Sequence, residues 1–204
     1  MCGIAGFVGQ GDRGLLERMV GTLVHRGPDD LGLWVEPGVG LGMRRLSIID
    51  LPGGRQPMTN EDEALRVVFN GEIYNFRALR SDLLERGHRF RTQSDTEVLL
   101  HLYEEAGAAS VERLRGMFAF ALWDASRKTL FLARDRLGKK PLFYWHNNGL
   151  FLFASEIKAL LRHPAVSRDV DWEAFHHYLA FGYTAIQGDR LVLFGWLFDV
   201  TQAD

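Results

Sequence analysis

The chain has 204 residues, 47% hydrophobic and 25% charged, which is the composition of a globular protein large enough for one domain with its own core. Its net charge of −2 favours neither nucleic acid nor an anionic membrane as a partner. The single cysteine excludes an internal disulfide and favours a reducing compartment. Since the sequence has no signal-peptide pattern and no apolar run that could span a bilayer, we expect a cytoplasmic protein.

Hydrophobic spacing predicts strands and helices that alternate along the chain. In the first half, the predicted strands cover residues 3–8, 41–49 and 65–69, and the predicted helices cover residues 15–24, 76–86 and 96–106. The second half begins with apolar runs at residues 117–123, 129–133, 142–145 and 150–153. Further helices are predicted at residues 157–161 and 172–180.

The late apolar runs predict the layers of the fold. The connections at residues 124–128 and 146–149 are too short for a crossover helix, so the strands that they join must pair as antiparallel hairpins. These runs do not alternate apolar with polar residues, which indicates that both faces of each strand are covered. We therefore predict an α+β fold, a four-layer αββα sandwich of two antiparallel sheets with helices outside.

Cys2 is the first candidate for chemistry, because removal of Met1 would place a thiol and a free α-amino group on one residue. A residue as small as cysteine allows the initiator methionine to be cleaved. An α-amine with a pKa of roughly 7.7–8.0 can take the thiol proton and later return it to a leaving group. Taken by itself, position 2 favours a simpler interpretation, a buried cysteine that packs as a small hydrophobic residue.

Ordered motifs elsewhere in the chain reverse that preference. They are Met1–Gly6, His25–Asp29, Arg45–Asp50, Asn70–Asn75, Ser94–Glu97, Arg134–Leu142 and Ala154–Leu160. In this order they resemble the class II glutamine amidotransferase domain of glutamine-dependent asparagine synthetases, over residues 2–183. The resemblance implies an N-terminal-nucleophile hydrolase fold, which agrees with the four layers predicted above. It also implies that Cys2 hydrolyses glutamine to glutamate and ammonia.

Thiolate attack on an amide makes a tetrahedral oxyanion, which needs hydrogen-bond donors already in place. The resemblance implies that the side-chain amide of Asn70 and the backbone N–H of Gly71 supply them. Both residues follow the strand predicted at 65–69, where we expect a turn to begin, and glycine allows a close approach. The alternative is an Asn-Gly hairpin turn, but the next residues predict a helix rather than a strand.

The charged ends of glutamine need partners as well. Arg45 lies in an otherwise apolar strand and can bind the α-carboxylate with its planar guanidinium. Its neighbour Arg44 points to the opposite face and cannot share this role. The alternative for Arg45 is a structural ion pair with Asp50 or Asp95.

Asp95 is the candidate partner of the α-ammonium group. Ser94 and Glu97 predict a capping box in which Ser94 is the N-cap, which leaves the Asp95 carboxylate to face a ligand. An equally supported alternative is that Asp95 only stabilises the helix N-terminus electrostatically. The resemblance implies a further polar contact from Glu72, whose alternative is a solvated turn residue. It also implies glutamine contacts from the segment after Arg45, namely Leu46, Ser47, Ile48 and Ile49.

Other signals receive simpler interpretations. Gly9–Gly14 fits the glycine-rich dinucleotide pattern, but the predicted hairpins disagree with a doubly wound sheet, and a lone match is weak. The basic segment Arg134–Lys140 is interpreted as a turn between strands rather than a nucleic-acid site. The seven histidines show no metal-ligand spacing, so no metal is predicted, and His25 is expected to shape its loop.

Residues 184–204 carry no family resemblance and are interpreted as a divergent tail, whose apolar part at 191–198 could cover an exposed sheet edge. The sequence contains no Ser-Gly-Gly-x-Asp-Ser loop, so ATP and Mg are expected only in a separate synthetase domain or subunit. This chain is expected to act at most as a glutaminase, with L-glutamine as its ligand and no cofactor of its own, and the sequence is compatible with a homo-oligomer. The open alternatives are the glutaminase half of a different amidotransferase and a non-catalytic or regulatory domain.

Overall fold

The computed structural model describes residues 1–47, 50, 53–170, 172–181 and 198–200. Its strands, in chain order, are β1 (Gly3–Val8), β2 (Asp30–Glu36), β3 (Val39–Arg45), β4 (Met58–Thr59), β5 (Leu65–Ile73), β6 (Gly116–Asp124), β7 (Thr129–Arg134), β8 (Phe143–Asn147), β9 (Leu150–Ala154) and β10 (Phe198–Val200). Its helices are α1 (Arg13–Gly21), α2 (Phe76–Glu85), α3 (Asp95–Ala106), α4 (Ile157–Leu160) and α5 (Trp172–Phe181), and a 3-10 helix follows α3 at Gly107–Arg113.

The described strands form two five-stranded sheets with antiparallel neighbours. The first sheet has the order β2-β3-β1-β9-β8 and the second has the order β10-β7-β6-β5-β4. The predicted hairpins are confirmed, because β6 pairs with β7 in one sheet and β8 pairs with β9 in the other. Since β1 is antiparallel to both of its neighbours, Gly9–Gly14 does not belong to the parallel β-α-β unit that binds dinucleotides.

The two sheets pack face to face, and their shared side chains form the central layer of the core. Ile4, Leu41 and Phe153 of the first sheet pack with Val68 and Ala121 of the second in one buried cluster. Helices α1 and α4 cover the outer face of the first sheet, and α2 and α3 cover the outer face of the second. The predicted four-layer αββα sandwich is therefore confirmed.

Strand β6 explains why the late apolar runs do not alternate with polar residues. Phe118, Phe120 and Leu122 face the helices, whereas Ala119 and Ala121 face the other sheet. Both faces of the strand are therefore removed from water, and a polar side chain on either face would need a buried partner.

Strand β2 is absent from the sequence prediction. It lies at the edge of the first sheet, next to β3, and most of its residues are only partly buried. An edge strand that keeps contact with water shows a weaker hydrophobic pattern than a central strand. Its neighbour β3 begins and ends earlier than predicted, at Val39 and Arg45, and Ile48 and Ile49 lie outside the described residues.

Strand β5 is longer than predicted. The hydrophobic pattern indicates an end at Phe69, but the strand continues to Ile73 and leads into α2. Asn70 and Gly71 remain in register with β6, opposite Ala119 and Phe118. The hairpin turn considered for Asn70 and Gly71 is therefore not formed.

The C-terminal segment is described only at residues 198–200. These residues form β10 and pair with residues 130–132 of β7, at the edge of the second sheet. The rest of the apolar segment at 191–198 lies outside the described residues. Within the described ranges, no helix is both long enough and apolar enough to cross a membrane.

Candidate active site

The register of the first sheet brings Cys2 and Arg45 together at one end of the central layer. Ile4 of β1 points into this layer, and Cys2, which immediately precedes β1, packs against the same cluster. Because Gly3 pairs with Arg44, the next position along the ladder sets Cys2 opposite Arg45.

A cavity of about 210 Å³ opens beside Cys2. Its lining includes seven of the predicted site residues, which are Cys2, Arg45, Leu46, Asn70, Gly71, Glu72 and Asp95. Ser47 is not part of the lining, and its N–H donates to Asp29 Oδ2 at 2.8 Å. The predicted contacts Ile48 and Ile49 lie outside the described residues.

The thiol of Cys2 is held by the main chain of Leu46. The Leu46 N–H donates to the sulfur at 3.4 Å, and the sulfur lies 3.6 Å from the Leu46 carbonyl oxygen. Burial raises the pKa of the Cys2 thiol, while the Leu46 N–H, the N-terminal amine, Arg45 and Lys140 oppose the rise. Because the pKa stays raised, the thiol needs a base before it can act as a nucleophile.

The motif His25–Asp29 supports Cys2 from behind. Arg26 Nε donates to the carbonyl oxygen of Cys2 at 2.9 Å, and Arg26 Nη1 donates to Glu156 Oε1, also at 2.9 Å. Glu156 in addition contacts His25 Nε2 at 2.8 Å and Lys158 Nζ at 2.9 Å. The Glu156 carboxylate, immediately before α4, therefore binds the loop that follows α1. Arg26 of that loop in turn holds the backbone of Cys2.

The N–H of Gly71 points into the cavity. On either side of it in β5, the Phe69 N–H donates to Gln56 Oε1 at 2.6 Å and the Ile73 N–H donates to Asp95 Oδ2 at 3.0 Å, both away from β6. Since N–H directions alternate along a strand, the Gly71 N–H points the same way, between these two partners. The prediction that Gly71 follows the end of the strand is therefore wrong, but the donor lies on the cavity wall.

Asn70 provides a second donor beside it. The residue is 1% exposed and lies on the face of β5 that carries Val68 into the central layer. Its amide nitrogen is buried without a hydrogen-bond partner in the described part of the chain. Leaving such a group unsatisfied costs free energy, which a ligand oxygen would recover. Asn70 and Gly71 thus form a donor pair suited to an oxyanion.

Packing against β6 restricts position 71 to glycine. A Cβ atom there would collide with the carbonyl oxygen of Met117 and would lie 2.7 Å from the Phe118 Cα. Glycine at this position therefore serves the close approach of two strands as well as access for a ligand.

Arg45 is 6% exposed and lines the cavity. Its Nη2 donates to the main-chain carbonyl oxygen of Asp50 at 2.8 Å. The Asp50 carboxylate accepts from the N–H groups of Gly53 at 3.0 Å and Gln93 at 2.7 Å. Asp50 therefore links Arg45 to the loop before α3 and orients the guanidinium at the cavity wall.

Asp95 is the first residue of α3 and is only 3% exposed. Ser94 is the N-cap, and its Oγ accepts from the Thr96 N–H at 3.2 Å, as predicted. The other half of the capping box is not formed, because Glu97 accepts from two N–H groups of the preceding loop. Burial raises the pKa of the Asp95 carboxyl, against the effect of the Ile73 N–H.

Two further charges belong to the cavity. Glu72 is exposed at its rim, where its carboxylate adds to the effect of burial in raising the pKa of Asp95. Lys140 is 6% exposed and lines the cavity, where its charge acts to lower the pKa of the Cys2 thiol. Its own N–H donates to Asp135 Oδ2 at 3.0 Å, which fixes the turn that carries it.

Sequence reasoning does not identify Lys140 as a site residue. The segment Arg134–Lys140 is a turn between strands, as predicted, but its last residue is buried while Arg136 and Leu137 are exposed. The available signal is that Lys140 ends the basic segment Arg134–Lys140 within the family-like motif Arg134–Leu142. Gln56 is also missed, because its contacts with Phe69 and Thr96 join segments that are distant in sequence.

Glu156→Gln is expected to remove a pH-dependent part of the stability. Burial raises the pKa of Glu156, but hydrogen bonds from Lys158, Arg26 and His25 outweigh burial and lower the pKa to about 2. A carboxyl whose folded-state pKa is lowered stabilises the fold above its ordinary value of 4.5 and loses that contribution as the pH falls towards 2. Urea unfolding from pH 7 to pH 2 should show the difference between wild type and variant shrinking over this window.

Glu36→Gln is the matched control for this measurement, because Glu36 is exposed on the edge strand β2. Its difference from wild type should be small and nearly constant. A difference for Glu156→Gln that stays constant between pH 4.5 and pH 2 would contradict the electrostatic role of this residue.

Comparison with known proteins identifies the family of the chain. The family model described as a glutamine amidotransferase domain matches residues 1–193. Asparagine synthetase [glutamine-hydrolyzing] 3 of Bacillus subtilis is 48% identical over 178 residues, which cover 84% of this chain and 29% of that protein. Asparagine synthetase [glutamine-hydrolyzing] 3 of Arabidopsis thaliana is 46% identical over 166 residues, covering 78% of this chain and 28% of that protein. The chain thus spans less than a third of the length of these relatives.

A solved structure shares the fold. Glutamine phosphoribosylpyrophosphate amidotransferase from B. subtilis superimposes with a TM-score of 0.66 at 23% identity, over 78% of this chain and 43% of that chain. The sandwich is accordingly of the N-terminal-nucleophile hydrolase type, as the sequence motifs imply. The chain belongs to the glutamine amidotransferase domain family and is homologous to the N-terminal, glutaminase region of glutamine-hydrolysing asparagine synthetases.

Proposed function

We propose that the chain hydrolyses L-glutamine to glutamate and ammonia, with the Cys2 thiol as the nucleophile. The observation that carries this proposal is a single cavity shared by the thiol, the inward N–H of Gly71 and the unpartnered amide nitrogen of Asn70. Membership of the glutamine amidotransferase domain family supports the same substrate.

The reaction requires the loss of Met1. Met1 lines the cavity next to Cys2, so its removal makes room beside the thiol and leaves an α-amine on the nucleophile itself. An amine with a pKa of roughly 7.7–8.0 accepts the thiol proton near neutral pH. Within the described residues no histidine lines the cavity, which makes this amine the base that the geometry favours.

The thiolate attacks the side-chain amide carbon of glutamine, an S–C bond forms, and the charge moves to the oxygen between Gly71 and Asn70. As the C–N bond breaks, the Cys2 amine returns its proton to the leaving nitrogen and ammonia departs. Water then attacks the thioester, which releases glutamate and restores the thiol.

The remaining charges of the cavity suit the two ends of glutamine. Arg45 is oriented to bind the α-carboxylate, and Asp95 and Glu72 offer carboxylates to the α-ammonium group. Lys140 supplies a second cation, which favours an anion in the cavity, either the substrate carboxylate or the Cys2 thiolate. A zwitterionic substrate leaves no unpaired charge at either end, which favours a free amino acid over a simple amide.

We also propose that the ammonia serves asparagine synthesis from aspartate and ATP. The identity with asparagine synthetases of B. subtilis and A. thaliana supports this acceptor, and the synthetase step would take place in a separate domain or subunit that binds ATP and Mg. The single cysteine and the ordinary charge balance support a cytoplasmic setting. The alternative of a non-catalytic domain leaves the buried, unsatisfied amide of Asn70 without an explanation.

Asn70→Ala tests the oxyanion pair. Loss of one oxyanion donor is expected to lower kcat for glutamine hydrolysis by roughly 10²–10³ with little change in KM. The measurement is ammonia release by the purified chain, with Cys2→Ser as the inactive reference and circular dichroism to confirm folding. Asn147→Ala, a change of the same type at an exposed position of β8, should leave the rate unchanged. A folded Asn70→Ala protein with the wild-type kcat would remove Asn70 from this role.

Arg45→Ala tests the carboxylate contact. Loss of a charge-assisted hydrogen bond costs roughly 1.5–3 kcal/mol, so KM for glutamine should rise about 10–100-fold while alkylation of Cys2 by iodoacetamide continues. Arg44→Ala is the matched control, because the adjacent arginine lies on the opposite face of β3. Equal values of KM in the two variants would assign Arg45 to structure alone.

A further inference from the structure

A cluster of two histidines and a glutamate lies beside and on α3, outside the cavity. It consists of His88, which follows α2, and of His101 and Glu104 on α3. We propose that this His88–His101–Glu104 cluster binds a divalent transition-metal ion, most favourably Zn²⁺. The inference is independent of the glutaminase activity, since no residue of the cluster lines the cavity.

The three ligand atoms already converge. One such atom from each residue lies within 4.8 Å of the others. Glu104 Oε2 lies 2.8 Å from His101 Nδ1 and 3.2 Å from His88 Nδ1, so both rings turn the same nitrogen towards one carboxylate oxygen. His101 and Glu104 are three residues apart on a helix and therefore share a face. Two imidazoles and a carboxylate, with water in the fourth position, form a donor set that Zn²⁺ accepts.

His88 and Glu104 each have a partner that holds them from behind. The Nε2 of His88 lies 3.0 Å from Glu105 Oε1, whereas the Nε2 of His101 is buried without a hydrogen-bond partner among the described residues, with Glu97 Oε1 at 3.9 Å. The other oxygen of Glu104 accepts from Asn60 Nδ2 at 2.7 Å. Metal-binding histidines commonly donate their second ring N–H to a carboxylate in this way, which fixes both the tautomer and the ring orientation.

The cluster is buried on one side and open to solvent on the other. His101 is 1% exposed and packs edge-on against Phe90, with ring centroids 4.6 Å apart, whereas the side chains of His88 and Glu104 are 17% and 26% exposed. An ion can therefore enter from solvent without unfolding the helix. A bound ion would join the segment after α2 to α3, the helix whose first residue, Asp95, lines the cavity.

The competing explanation is a cluster of ion pairs in which protons, not a metal, lie between the histidines and Glu104. Calorimetric titration of chelator-treated, tag-free protein with ZnCl₂ distinguishes a metal site from a cluster of ion pairs. The titration uses a Cys2→Ser background, because the Cys2 thiol is itself a zinc ligand. We expect one Zn²⁺ per chain, no response to Mg²⁺, and a higher thermal unfolding midpoint with Zn²⁺ than without it.

Variants distinguish the proposed metal ligands from the residue that orients His88. His88→Ala and Glu104→Gln should abolish stoichiometric binding, and Glu105→Gln should weaken it about 10–100-fold by removing the partner of His88. His146→Ala, at an exposed histidine of β8, is the matched control and should bind as tightly as the parent. If folded parent protein binds no Zn²⁺, or if His88→Ala binds it as tightly as His146→Ala, the proposal is overturned and the cluster is a set of ion pairs.

Discussion

The face-to-face packing of the two sheets is the constraint on which the site depends. Cys2 immediately precedes β1 of the first sheet, whereas Asn70 and Gly71 belong to β5 of the second. These residues can share a cavity only if the central layer holds the two sheets in register at that end. The buried contacts of Ile4, Leu41 and Phe153 with Val68 and Ala121 supply that restraint. Substitutions of buried residues in this layer would therefore change the geometry of the site, although these residues do not contact it.

Local hydrogen bonds then set each group within the frame. Arg26 fixes the carbonyl of Cys2, Leu46 fixes its thiol, and Asp50 fixes the guanidinium of Arg45. Groups with partners of this kind do not need to reorganise when a ligand arrives. The amide nitrogen of Asn70 is an exception, since it has no hydrogen-bond partner within the described residues. A ligand oxygen would satisfy it.

The sequence predicts the layers because the relevant signals are local. The short connections within 117–153 require hairpins, and the two-sided apolar pattern requires cover on both faces. The strand end at Phe69 is predicted wrongly because Asn70 and Gly71 interrupt the hydrophobic pattern while remaining paired with β6. Residues that act through partners distant in sequence give no local signal. Gln56, which contacts Phe69 and Thr96, is such a case, and so is the pairing of His88 with His101, whose spacing along the chain hides their proximity.

The identity of the nucleophile is the central claim, and covalent labelling tests it most directly. Purified protein treated with the glutamine-derived electrophile diazo-oxo-norleucine would be digested and mapped by mass spectrometry. The proposed mechanism predicts a chain that has lost Met1 and carries one adduct, on Cys2, whose formation is slowed by excess glutamine. A folded chain that retains Met1, or one whose adduct lies on any other residue, would contradict the assignment of Cys2 as an N-terminal nucleophile.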